Sequence, residues 1–269
     1  MRTTTVFSFF LATFVFVTAA LTSAANPWIF VNGHAALVVF GGTFSAAAIS
    51  FGLTRLFTLL HVLYRRILKS GRDHRPREMI EKLMILSDIY RTNPERLREE
   101  VKNIEDPFLK EALELVADNY IAHEDLMRIL ATRTMSVYQR YQEEALKFKA
   151  LAKFPPAFGL MGAVMGMIGI MAQLGKSGTM GSVGPSLALA LVGTLYGVAL
   201  ANLVILPLAE NLQDSAREVR SKNMMITEAV RLLLQKKNPV LMAEDLNSFL
   251  LANERLDWKA NRQKVKEAA

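Results

Sequence analysis

Cysteine is missing from all 269 residues, which excludes disulfides and cysteine-ligated metals. The four histidines, His34, His61, His74 and His123, show no HExxH or related ligand spacing. A phosphate-cradling glycine loop with its Lys-Ser/Thr ending is absent, and so is a GxSxG nucleophile turn. These absences leave no catalytic constellation, no metal and no cofactor to assign, so the chain reads as a non-enzyme. Acids are missing from two long tracts: none precedes Asp73, and none lies between Glu144 and Glu210. All 25 therefore fall in 73–144 and 210–269. Of the 32 Lys and Arg, only Arg2, Arg55 and Lys176 lie outside 65–153 and 217–266. The formal charge of +7 thus follows position. Cationic flanks put both polar segments on the cytoplasmic side by the positive-inside rule, and no nucleic-acid partner is implied.

Hydrophobic residues make up 51% of the chain and are gathered into runs. Two of them, about Pro156 to Gln173 and about Pro185 to Ala209, are each long enough to cross about 30 Å of hydrocarbon. A short Gly/Ser-rich turn carrying Lys176 joins them into a membrane hairpin. Gly159, Gly162, Gly166 and Gly169 recur at helical spacing on the first helix, and Ala190, Gly193, Gly197 and Ala201 on the second. Such small stripes let helix backbones approach closely in lipid. Thr194 is the polar group deep in the second run, with Asn202 further along. Its hydroxyl either bonds to carbonyls of its own helix or faces a pore or partner. Ion transfer through lipid normally needs a titratable or anionic group within the membrane, and these runs hold none. If this chain conducts ions, a partner must supply the acid.

The segments PPAFGLMGAVMG and VGTLYGVALANLVILPLAENL, with Pro156, Thr194 and Pro207 in place, resemble the third and fourth membrane helices of MotA-type flagellar stator subunits. That family is grouped with the TolQ and ExbB energisers. The resemblance implies a MotB-like partner whose aspartate stands beside Thr194. It also implies a pentamer, five copies ringing two partner helices, and backbone hinges at Pro156 and Pro207 that couple helix motion to protonation. Ala163 stands where sodium-driven relatives have Thr. Losing that oxygen disfavours a hard cation that must shed water, so protons are the expected ion. Gly159, Gly162, Gly166, Gly193 and Gly197 are the expected helix-packing positions.

SDIYRTNPERLREE resembles the family's charged segment facing the rotor. Arg91 and Glu99 match its Arg and Glu at the same separation, and Glu100 matches a further acid. They imply contact with a FliG-like rotor protein through reversible charge pairing. Asn93-Pro94 departs from the small residues of relatives, so the turn there is expected to differ. Asn32 stands where many relatives carry Asp, and Gly41-Gly42-Thr43 resembles a double-glycine pattern of close packing. His34 reads as an interfacial polar group rather than a proton relay.

The first run, about Thr5 to Ala24, also fits a cleavable signal peptide ending near Ser23-Ala24-Ala25. The resemblance, which begins with two membrane helices, favours an uncleaved helix. The second run, about Trp28 to Leu60, exceeds one bilayer width and is expected to tilt or project. The fold class is therefore an all-α integral membrane protein with four transmembrane helices in a 2+2 arrangement. The expected parts are helices 1 and 2 (1–64), a helical cytoplasmic domain (65–153), the channel hairpin (154–210) and a helical cytoplasmic tail (211–269). In the tail, MMITEAVRLLLQ is expected to pack under the membrane domain, Pro239 to interrupt it, and the basic ending Lys259 to Lys266 to lie near anionic lipid. The bacterial inner membrane, with both termini cytoplasmic, is the implied location. A TolQ/ExbB-type energiser is the alternative, weakened because those relatives have one helix before the cytoplasmic loop. A transporter or membrane scaffold is more distant.

Overall fold

In a computed structural model, described over residues 3–23, 26–54, 56–57, 61, 76–118, 120–173 and 180–256, three helices begin where an Asn or Asp precedes proline. The Asn93 side chain accepts from the N–H groups of Glu95 (3.1 Å) and Arg96 (3.3 Å). Asp106 accepts from Phe108 and Leu109, both at 3.0 Å, and Asn238 accepts from Val240 at 3.0 Å. Proline restricts the residue before it to extended backbone, the conformation of an N-cap, and its own missing N–H is one the first turn does not use. Asn26-Pro27 opens a 3₁₀ turn, Pro27–Phe30, in the same way.

The elements are α1 (Thr3–Ser23); α2, made of Gly33–Ala36, a π turn Leu37–Gly41 and Gly42–Phe51; α3 (Pro76–Thr92), α4 (Pro94–Lys102) and α5 (Pro107–Asp118); α6 (His123–Leu151), α7 (Phe154–Gln173) and α8 (Met180–Ala199); then, after a second π turn (Leu200–Ile205), α9 (Leu206–Leu234) and α10 (Pro239–Asn247). Among the described residues there is no strand. Among the described residues, three helical stretches are long and apolar enough to cross a membrane: Pro27–Phe51, His123–Ala172 and Ser186–Leu234. The apolar stretch of α1, Phe10–Ser23, is shorter, so the expected four spans stand at three by this measure.

The chain divides into two compact units, 1–72 with 142–214 and 73–141 with 215–269. The cuts fall inside α6 and α9. In the second unit, Ile80, Leu83 and Met84 of α3, Leu97 of α4, Leu109 and Leu113 of α5, and Leu126 and Leu130 of α6 share one core with the tail. Met225, Ile226, Ala229, Val230, Leu232 and Leu233 enter it from α9, and Met242, Ala243 and Leu246 from α10. Burying each of the larger side chains stabilises by about 1.5–3 kcal/mol. MMITEAVRLLLQ therefore completes the core of this unit. The apolar period was visible, but a period does not name the partner surface. Pro239 likewise starts a helix rather than merely interrupting one.

Gly52 takes φ 78 and ψ 142, a conformation open to glycine and strained for other residues, and α2 ends at Phe51. The residues carrying most of RLFTLLHVLYRRILKS, the turn with Lys176, Ala24-Ala25 and the basic ending Lys259 to Lys266 lie outside the described residues.

Candidate ion-path hairpin and its supports

α7 and α8 pack along their length in the first unit, and their glycines explain how. A Cβ added at Gly159 would stand 2.8 Å from Gly193 O and 3.1 Å from Thr194 Cα. At Gly166 it would stand 2.6 Å from Ser186 O, and at Gly197 it would run into the Pro155 carbonyl and stand 3.1 Å from Pro156 Cα. Backbone meets backbone at these positions, and no side chain could yield. Gly193 lies opposite Gly159, its added Cβ 3.6 Å from Gly159 O. Gly162 faces elsewhere, toward Val38 of α2, at an ordinary contact distance of 3.7 Å. In the Gly41-Gly42 pair only the second is crowded: the Phe158 ring fills the space of a Cβ at Gly42, and Gly41 has open space.

Thr194 is half-buried, and its hydroxyl donates to Leu191 O at 2.8 Å. The oxygen keeps lone pairs with which to accept from a neighbour. Ala163 is half-buried on α7, one turn beyond Gly159, and Asn202 donates to Val198 O at 2.9 Å.

Pro155 and Pro156 occupy the first turn of α7. Neither can donate to the carbonyls of Leu151 and Ala152, and there the helical trace from His123 loosens into a two-residue turn, Ala152–Lys153. Pro155 escaped the sequence reading, although the doubled proline was the signal. Pro207 leaves the carbonyl of Leu203 without its usual partner, and the π turn Leu200–Ile205 lies immediately upstream. A π turn commonly accompanies such a mismatch in helical bonding.

Helix α2 starts on Asn32, whose side chain accepts from Ala35 N–H at 3.0 Å, and His34 is exposed. The Asn32 N–H donates to the Tyr196 hydroxyl at 3.3 Å, and that hydroxyl donates to the carbonyl of Phe30. Tyr196 was missed, and its signal was a lone phenol inside an apolar run.

In the second unit, Arg91 lies exposed in the last turn of α3. Glu99 is exposed and Glu100 half-buried on α4. Among the described residues none of the three has an ion-pair partner. Two other charges of this unit are committed: Arg98 donates to Ala117 O at 2.9 Å, and Arg133 pairs with Glu111 at 2.6 Å. Lys222 meets Asp106 at 2.5 Å with both side chains nearly buried. Burial pushes the Asp106 carboxyl up, but Lys222 and the N–H groups of Leu109 and Phe108 outweigh it and hold the group below its ordinary value. No cluster of metal-ligating side chains occurs among the described residues.

The profile of the MotA/TolQ/ExbB proton channel family matches residues 100–225, which contain the α7–α8 hairpin. Over that stretch the chain is similar to this family. Motility protein A of Borreliella burgdorferi is 32% identical over 160 residues, covering 59% of this chain and 60% of that one. Motility protein A of Treponema phagedenis is 28% identical over 226 residues, covering 83% and 84%. The flagellar MotAB stator complex of Bacillus subtilis has the same fold, with a TM-score of 0.80 at 22% identity over 92% of this chain and 98% of that one. Both of these relatives are motility proteins.

Proposed function

We infer that this chain is a MotA-like stator subunit of a bacterial flagellar motor, which forms an ion channel with a MotB-like partner and drives the rotor by ion flow. The observation that carries this reading is a tightly closed small-residue hairpin with a single threonine at its crossing and no carboxylate from Glu144 to Glu210. Such a hairpin can line an ion path but cannot by itself hold the charge, so the acid comes from the partner. The hydroxyl proton of Thr194 is committed to Leu191 O. Its oxygen is therefore free to accept from a protonated partner carboxyl and offers nothing to the ionised form. Thr194 thus distinguishes the two protonation states of the group beside it.

The finer parts of the reading are these. Four membrane helices lie in the bacterial inner membrane in a 2+2 arrangement, with both termini cytoplasmic. Five copies surround two partner helices. Protons are carried in preference to sodium, because Ala163 adds no oxygen to the path. The two proline breaks, at Pro155-Pro156 and at Pro207, absorb helix motion when the partner's charge changes. Arg91, Glu99 and Glu100 meet opposite charges on a FliG-like rotor protein, and their lack of partners within the described residues leaves them available for it. The test is deletion of the gene in its host. Paralysed cells with normal filaments, rescued by the chain at a speed independent of external sodium, are expected. Motile cells with an outer-membrane or uptake defect would move the assignment to a TolQ/ExbB-type energiser.

A further inference from the structure

A contact built from glycines brings α7 and α8 close but supplies few interlocking side chains to fix how α8 is rolled about its axis. The helix period places Gly193 and Gly197 toward α7, with Thr194 on one flank of that contact and Tyr196 on the other, about 200° further round. Tyr196 is the residue whose hydroxyl leaves the hairpin for another element. It donates to the carbonyl of Phe30 and accepts from the N–H of Asn32 at 3.3 Å, and its ring lies 6.5 Å from that of Phe40. The chain leaves the 3₁₀ turn and enters α2 through Val31-Asn32, where Val31 N–H still donates to Trp28 O while the Phe30 carbonyl and the Asn32 N–H turn to Tyr196. Both groups belong to half-buried residues, and a backbone N–H or C=O left unpaired as it is buried is costly. One hydroxyl satisfies both, so any roll of α8 breaks two hydrogen bonds at once.

We propose that Tyr196 is a positioning residue for the ion path, its hydroxyl tying α8 to the segment that opens α2 and setting the roll at which Thr194 is presented to the partner. The proposal rests on the stator reading. Tyr196 touches no ion in it; the residue acts through Thr194. Replacing the hydroxyl while keeping the ring removes the tie and leaves the glycine contact intact.

The chain has no cysteine of its own, which permits a direct measurement. Thr194→Cys is introduced into the full stator complex, single cysteines are placed along the partner's membrane helix, and oxidative cross-linking is quantified in membranes. The cross-link from position 194 is expected to peak at one turn of the partner helix. Adding Tyr196→Phe should lower that peak at least threefold, with the amount of complex unchanged. Tyr196→Trp, which keeps one donor and loses the acceptor, should give an intermediate yield and serves where Tyr196→Phe does not accumulate. An unchanged peak in either background overturns the proposal, and so does failure of both variants to reach the membrane, which would make the hydroxyl a folding group. Absence of any cross-link from Thr194→Cys in the otherwise unaltered chain would sink the stator reading together with the proposal.

Discussion

Gly166 and Gly197 are positions where one methyl group would act on backbone. A Cβ at Gly166 stands 2.6 Å from Ser186 O, and one at Gly197 stands 2.9 Å from Pro155 C. Neither neighbour is a flexible side chain, so Gly166→Ala or Gly197→Ala must push α7 and α8 apart, an overpacking cost of about 1–3 kcal/mol. Gly162→Ala, 3.7 Å from a Val38 methyl, should change stability by less than about 0.5 kcal/mol. The midpoint of heat-induced dissociation of the purified complex separates them; equal shifts for all three would contradict the packing argument. The Lys222–Asp106 pair belongs to the same scale. Both carboxylate oxygens of Asp106 are used, one by Phe108 and Leu109, the other by Lys222. Lys222→Met should cost about 1.5–3 kcal/mol, the range for a charged hydrogen bond. Because the Asp106 carboxyl is held low, this stability is present above the unfolded carboxyl's pKa of about 3.9 and is lost as pH falls through the lower folded value. The gap in melting temperature between wild type and Lys222→Met should therefore be full at neutral pH and close below about pH 4.

At the level of elements, the legible features were those written in local chemistry. Asn93-Pro94 and Asp106-Pro107 carry the chemistry of a helix start in two residues, since cap, extended pre-proline backbone and missing N–H all favour one conformation. The hairpin was legible from run length and glycine spacing. Three things were not. The end of α2 at Gly52 lies inside an unbroken apolar run, where one glycine among several gives no local sign of a left-handed backbone. The placement of α9 and α10 in the core of the second unit depends on contacts from residues 73–141, far away in sequence. The π turn at Leu200–Ile205 leaves the apolar composition unchanged and so is silent in the residue pattern. Its position beside Pro207 makes it testable. Pro207→Ala restores the N–H that Leu203 O lacks and favours a regular α-helix through 200–210. Membrane level and cross-linked assembly should be retained or rise slightly, while swimming speed of the complemented deletion strain falls at least threefold. Retained speed with normal assembly would overturn the proposed coupling role of Pro207 and leave it a helix irregularity without consequence.

For the molecule as a whole, the controlling fact is a charge it does not have. The described membrane stretches are held together by glycine contacts, a threonine bonded to its own helix and a tyrosine bonded to a turn, and their polar groups are largely satisfied internally. Carrying a proton across lipid through such a structure requires a group that changes charge at membrane depth, since an unaided charge at the bilayer centre costs at least about 2.5–3.5 kcal/mol. The chain alone, reconstituted in liposomes with a pH gradient, should leak no faster than protein-free vesicles. Co-reconstitution with the MotB-like partner should open a proton leak, and replacing the partner's membrane carboxylate by its amide should abolish it. The comparison isolates the argument, because the amide keeps size and hydrogen bonding while removing titration. A rapid leak through the chain alone would mean that water and backbone groups suffice for conduction. Thr194 would then be a conducting residue in its own right, rather than one that reads the protonation of a neighbour.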